Sequence, residues 1–266
     1  MNDGLFWIIG CGNMAGAMLR RWVETGIDVS RVRVVDPAMP GLPGGLTALH
    51  AIPPVEAKAA RVLLAVKPQL LDTIAADVVR LVGPQTQLLS ILAGVEIAAL
   101  GARFPEAGRI VRIMPNLPAE LGKGVIALHA ADGPDSATAE LMAPLGLVEW
   151  IADENQLHLV AALAASGPAF LYRFIDALGV AGARLGLGPD QAARLALAMV
   201  EGSALLAAQS GDAPAMLADR VASKGGMTRE GLDILDADEA LLRLLTDTLH
   251  AACRRSAEMG DAARRA

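Results

Sequence analysis

Residues 5–15 read Leu5-Phe6-Trp7-Ile8-Ile9-Gly10-Cys11-Gly12-Asn13-Met14-Ala15, and this stretch decides the fold. An apolar run enters a G-x-G-x-x-A turn and leaves as an amphipathic segment, so the order is strand, glycine turn, helix. Gly10 permits the tight turn, and Gly12 lets backbone approach a pyrophosphate. Small Ala15 allows close helix–strand packing, while Asn13 and Met14 open a helix whose N-terminus faces negative charge. A second strand at 32–35 ends at Asp36, 24 residues beyond Gly12. A carboxylate there accepts ribose hydroxyls and repels a 2′-phosphate, which favours NADH over NADPH. The same residue can instead begin a turn with Pro37, so the choice between NADPH and NADH stays open.

Farther out, short apolar runs alternate with helical ones through the first 152 residues. Strands are expected over 5–9, 32–35, 62–66, 88–92, 109–114, 125–129 and 148–151, and helices over 14–25, 69–82, 97–104 and 135–145. β-Branched residues on both faces suit a mostly parallel sheet buried on both sides. From Asp153, a plausible N-cap, strand-like runs nearly vanish. Ala/Leu-rich helices are expected over 154–165, 169–185, 189–209, 215–221 and 239–258, with Pro189 opening one of them at its first position. The reading is an α/β Rossmann domain, 1–152, followed by an all-α helical dimerisation domain, 153–266. Ala on more than one helix face suits burial against a second copy, so a homodimer or a higher oligomer of dimers is expected. The last residues, 256–266, lose apolar periodicity and are expected to be disordered.

Ligands of such a sheet gather at the carboxyl ends of its strands. Three further ends are distinctive: Val66-Lys67-Pro68, Ala93-Gly94, and Asn116 within Pro115-Asn116-Leu117-Pro118. Lys67 is either a cofactor-side charge or a solvated loop residue. The Asn116 amide either reads a nicotinamide carboxamide or substrate, or merely caps a turn. In the helical half, Ser166-Gly167-Pro168 and Ser223-Lys224-Gly225-Gly226-Met227-Thr228 break the helices. The second break can form an anion-binding nest with the Thr228 hydroxyl beside it, or be an ordinary connection.

Composition removes several classes. A net charge of −6 with interspersed signs gives no basic face for nucleic acid. Cys11 and Cys253 are far apart and outside any CxxC spacing, which points to a reduced, cytoplasmic setting. Cys11 reads as a small packed residue rather than a nucleophile. The opening Met1-Asn2-Asp3-Gly4 lacks a basic n-region, so no signal peptide is expected. No run of about 18 apolar residues escapes charge, Gly or Pro, so no membrane span is expected. The histidines are scattered and no metal-ligand spacing is present, so no metal is expected.

Taken in order, Gly10 to Met14, Ala65 to Gln69, Ser90 to Gly94, Arg112 to Asn116, Ser166 to Ala169 and Gly225 to Leu232 resemble the pyrroline-5-carboxylate reductases over nearly the whole chain. The resemblance implies reduction of a small cyclic imine carboxylate, 1-pyrroline-5-carboxylate, to proline. It also implies a substrate site at a dimer interface. Ser223, Gly225, Gly226, Met227 and Thr228 then form the substrate loop, whose N–H groups bind the ring carboxylate while Thr228 hydrogen-bonds the ring nitrogen. Lys67, Pro68 and Asn116 match cofactor-side loops. The chain departs from the family pattern at Lys224 (usually Pro), Met227 (often Thr or Ala), Leu117 (Thr) and the Ala164-Ala165 and Phe170 positions. These changes bear on ring size or substituents rather than on hydride transfer.

Two rivals remain. One is another enzyme of similar build, either a reductase of a different cyclic imine or a 3-hydroxyacid dehydrogenase. The latter wants a lysine acid/base in the first long helix of the second domain, where 169–185 offers Arg173 and Arg184 only. A non-catalytic dinucleotide-binding regulator is kept open by Lys224 and Met227.

Overall fold

The computed structural model describes residues 4–265. Met1 to Asp3, on which the signal-peptide reading partly rests, lie outside the described residues. The chain divides into two compact units, Met1–Ser166 with Ala251–Ala266, and Gly167–His250.

The first unit carries an eight-stranded sheet: β1 (Phe6–Ile9), β2 (Val32–Val35), β3 (Ala48–Leu49), β4 (Arg61–Leu64), β5 (Gln87–Ser90), β6 (Arg109–Met114), β7 (Gly124–His129) and β8 (Gly146–Trp150), in the order 3-2-1-4-5-6-7-8. Every neighbouring pair is parallel except β6 with β7. Alternation along β1 explains why the sheet is covered on both sides. Phe6 and Ile8 enter one core with Met18, Leu19 and Trp22, while Trp7 and Ile9 enter another with Val62, Leu64 and Leu88. Helix α1 (Asn13–Glu24) is fixed on the first face by Trp22. Its ring meets Phe6 edge-on at 5.6 Å, and its indole N–H donates to the Leu141 carbonyl at 2.7 Å.

The strand order reverses between β1 and β4, where crossovers leave toward β2 on one side and toward β5 on the other. A crevice opens outside the carboxyl ends at such a point. The remaining helices of this unit are α2 (Leu71–Val78), α3 (Ile97–Arg103), α4 (Ser136–Met142) and α5 (Gln156–Val160). α5 continues as one π-helical turn, Ala161–Ala165.

The structure differs from the sequence reading at β3 and over residues 256–265. β3 was not foreseen; it is two residues long and follows a loop rich in Gly and Pro. The first compact unit runs on past residue 152 to Ser166. Glu154 joins the sheet unit by accepting from buried Arg112 and from the Ile97 amide, both at 2.8 Å. Residues 256–265, expected to be disordered, belong to the last helix, α10 (Ala240–Arg265). Gln156–Arg184 is, by length and composition only, long and apolar enough to cross a membrane, and Gly167-Pro168, Arg173 and Asp176 interrupt it.

In the second unit, α6 (Gly167–Arg184) and α7 (Pro189–Ser210) form a helix hairpin through Gly186, whose φ of +113° is accessible to glycine. Their seam is built from small residues. A methyl on Gly179 would stand 3.2 Å from the Ala193 Cα, so the backbones lie close. Helices α8 (Pro214–Val221) and α9 (Met227–Asp236) follow, tied by an Arg229–Asp219 ion pair at 2.7 Å. The sequence reading places no helix at α9, because its four charged residues and Gly231 mask the apolar pair Ile234 and Leu235. Leu171, Tyr172, Phe174, Leu197, Leu206 and Ile234 are exposed in the single chain. A face this apolar is left for a covering partner.

Candidate active site

The glycine turn is held by its neighbours on both sides. Gly10 sits at φ +87°, and a methyl there would fall 2.8 Å from the Ala65 carbonyl oxygen and 2.9 Å from the Val66 side chain. Its amide donates to the Val35 carbonyl at 2.8 Å. Glycine is thus required twice, for conformation and for space. Gly12 is different: nothing stands within 4 Å of where its Cβ would be. It is the N-cap of α1 and supplies no side-chain cap, so the first-turn amides, with Asn13 and Met14 opening the helix, are uncapped. An open glycine before uncapped amides fits a diphosphate.

Asp36 closes the turn from the β2 side. Its Oδ2 accepts the Cys11 amide at 2.7 Å, and its Oδ1 accepts the Ala38 amide at 2.9 Å. Asp36 therefore shapes the turn with Pro37, and its side chain lines the cleft. Cys11 is buried, and burial, reinforced by the Asp36 carboxylate, pushes its thiol up from the ordinary value. A protonated, packed thiol is a poor nucleophile.

A cleft of about 400 Å³ opens at these strand ends. Gly10, Gly12, Asp36, Val66 and Lys67, all expected from sequence, line it together. Pro68 starts a short helical turn beside them, fixing where Lys67 leaves the strand. Sequence reasoning missed His50, Ile52, Leu70, Ile74 and Asp77 on the same wall. The signal for His50 was the strand β3 just before it, too short to read.

The other loops behave differently. Ala93-Gly94 form a turn closed by the Val95 amide donating to the Leu92 carbonyl at 3.4 Å, with Gly94 at φ +76°. The Asn116 side chain is bonded within the fold. It is 5% exposed, donates from Nδ2 to the Ala164 carbonyl at 2.9 Å, and accepts the Val125 amide on Oδ1 at 2.9 Å. Pro168, four residues after Ala164, has no N–H to donate, so the Ala164 carbonyl lacks an α-helical donor and the Asn116 amide takes it up. Both ends of this amide serve the framework.

In the second unit, Ser223, Gly225, Gly226, Met227 and Thr228 form a loop and the first turn of α9. The Gly226 amide donates to the Ser223 carbonyl at 3.0 Å, Gly225 sits at φ +70° with open space around it, and Met227 is 92% exposed. Gly226 caps α9 with no side-chain hydrogen bond.

Two family models match the chain. The model for pyrroline-5-carboxylate reductase dimerisation covers residues 154–259, and that for coenzyme F420-dependent NADP oxidoreductases covers residues 6–94. The pyrroline-5-carboxylate reductase of Pseudomonas aeruginosa is 32% identical over 95% of this chain and 96% of that protein. The Synechocystis enzyme of the same name is 34% identical over 95% and 97%. The solved pyrroline-5-carboxylate reductase from Coxiella burnetii superposes with a TM-score of 0.86 at 28% identity, covering 97% of this chain and 98% of that one.

Proposed function

The chain belongs to the pyrroline-5-carboxylate reductases, and from that premise we propose that it reduces the C=N bond of 1-pyrroline-5-carboxylate to give proline, with NADH or NADPH as reductant. The observation that carries this is the open glycine before the uncapped α1 N-terminus, set at the switch point of the sheet. When bound, the reduced nicotinamide supplies the hydride.

The chain's own residues have the task of holding and orienting. Gly10, Gly12, Asn13 and Met14 offer backbone N–H groups to the diphosphate, and Asp36 accepts the adenosine ribose hydroxyls. Val66, Lys67 and Pro68 border the same cleft, and the Ala93-Gly94 turn lies on its nicotinamide side. Asp36 and Asp77 with Lys67 are the charged residues lining the cleft, a balance that supports NADH over NADPH. In the substrate loop, the amides of Gly225, Gly226 and Met227 take the ring carboxylate, Ser223 braces Gly226, and the Thr228 hydroxyl oxygen accepts the N–H of the protonated imine. A protonated imine is already electrophilic, so orientation alone supplies about 7–11 kcal/mol of the barrier reduction.

The dimerisation match and the exposed apolar helices support self-association, with the substrate loop completed by a second copy. Two free cysteines suit a reducing, cytoplasmic compartment. The test is nicotinamide absorbance with pyrroline-5-carboxylate, run with each cofactor. Oxidation of NADH at a higher kcat/KM than NADPH is expected, and no oxidation of either would remove the reading. Turnover of a 3-hydroxyacid substrate instead would favour the dehydrogenase alternative.

A further inference from the structure

The turn at 92–95 is covered from outside by the end of the chain. A methyl built on Gly94 would stand 2.9 Å from the Gly260 nitrogen and 3.1 Å from its Cα. A methyl on Gly260 would stand 3.2 Å from the Gly94 carbonyl oxygen and 3.4 Å from His158 Cε1. Gly260 is buried although it lies six residues from the terminus. One helical turn earlier, on the same face of α10, Ser256 Oγ is hydrogen-bonded to His158 Nδ1 at 3.0 Å. Two glycine backbones thus touch, and a side-chain hydrogen bond one turn away keeps them in register.

Glycine inside a helix is unfavourable by propensity, and alanine would serve the helix better. Its use at 260 needs another reason, and the clearance to Gly94 supplies one. We propose that Gly260 is a positioning residue for nicotinamide-cofactor binding: it lets the last helix lie directly on the Ala93-Gly94 turn and so sets that turn's height at the carboxyl end of β5. This rests on the reading above that the turn borders the cofactor. A side chain at 260 pushes on the Gly94 peptide, and a close-packed contact transmits such a push rather than absorbing it.

The test compares wild type, Gly260→Ala and Gly260→Val in the full-length protein, by calorimetric titration with NADH and NADPH and by steady-state kinetics. The expected result for Gly260→Ala is a cofactor Kd and KM raised about fivefold, with kcat at saturating cofactor within about twofold and Tm equal or higher. Gly260→Val should give about tenfold or more. A merely structural role predicts the opposite for alanine, a stabilised helix with unchanged cofactor affinity, and that outcome overturns the proposal. If Gly260→Val fails to fold, Gly260→Ala still decides. Wild type that binds while Gly260→Ala binds equally well removes this inference alone; wild type that binds neither nucleotide removes the proposed function as well.

Discussion

Two glycine turns open helices in this molecule, and they are finished to different degrees. At Gly10 and Gly12 the surroundings come from the same chain: Ala65, Val66, Val35 and Asp36 box the turn, and only the side facing the ligand is open. At Gly225 and Gly226 the chain supplies Ser223 and little else, while Met227 stands in solvent. Both helices begin without a side-chain cap. The contrast teaches that a glycine turn is not by itself a site. The first turn is boxed by its own unit, whereas the second, within the residues of the dimerisation match, has open space around Gly225.

The largest test of that contrast is Gly12→Val. The φ of −72° accepts a side chain, so the fold should survive while the valine fills the diphosphate's space. Cofactor affinity should fall by about 100-fold or more in calorimetry; undiminished binding would move the first site elsewhere. Thr228→Ala should act on the other turn, lowering kcat by about 10- to 100-fold through loss of a hydrogen bond to a charged group, with cofactor Kd nearly unchanged. If both variants struck the same kinetic parameter, the two turns would not have separate duties. A smaller effect is expected from Asp36→Ala, which should shift the NADH-to-NADPH ratio of kcat/KM about tenfold toward NADPH. An unchanged ratio would leave Asp36 only its turn-shaping role. The smallest change in activity is expected from Asn116→Leu. It strands the Ala164 carbonyl and the Val125 amide, costing about 2–4 kcal/mol of stability measured by denaturant unfolding, while cofactor affinity moves little.

Much of the first unit was legible. The apolar run into Gly10 and the acid at 36 are local signals whose physics needs few neighbours, and the 3.6- and 2-residue periods located the long elements. What escaped was of two kinds. Short or charged elements, Ala48–Leu49 and Met227–Asp236, carry too little apolar pattern to read. The other kind concerns partnership: the Asn116 amide in a stiff Pro-flanked loop looks ligand-facing until the Ala164 carbonyl and the Val125 amide are seen to occupy it.

The amino-acid order by itself determined the strand–glycine–helix unit, the parallel sheet and the switch to helices, because each follows from local sterics and burial period. Only the tertiary structure decided that Asp36 braces Cys11, that Asn116 is spent on the Ala164 carbonyl, and that Gly260 lies on Gly94. These are contacts between residues from 25 to 166 positions apart. No window of sequence contains both partners, so the chain must fold before either one's role exists.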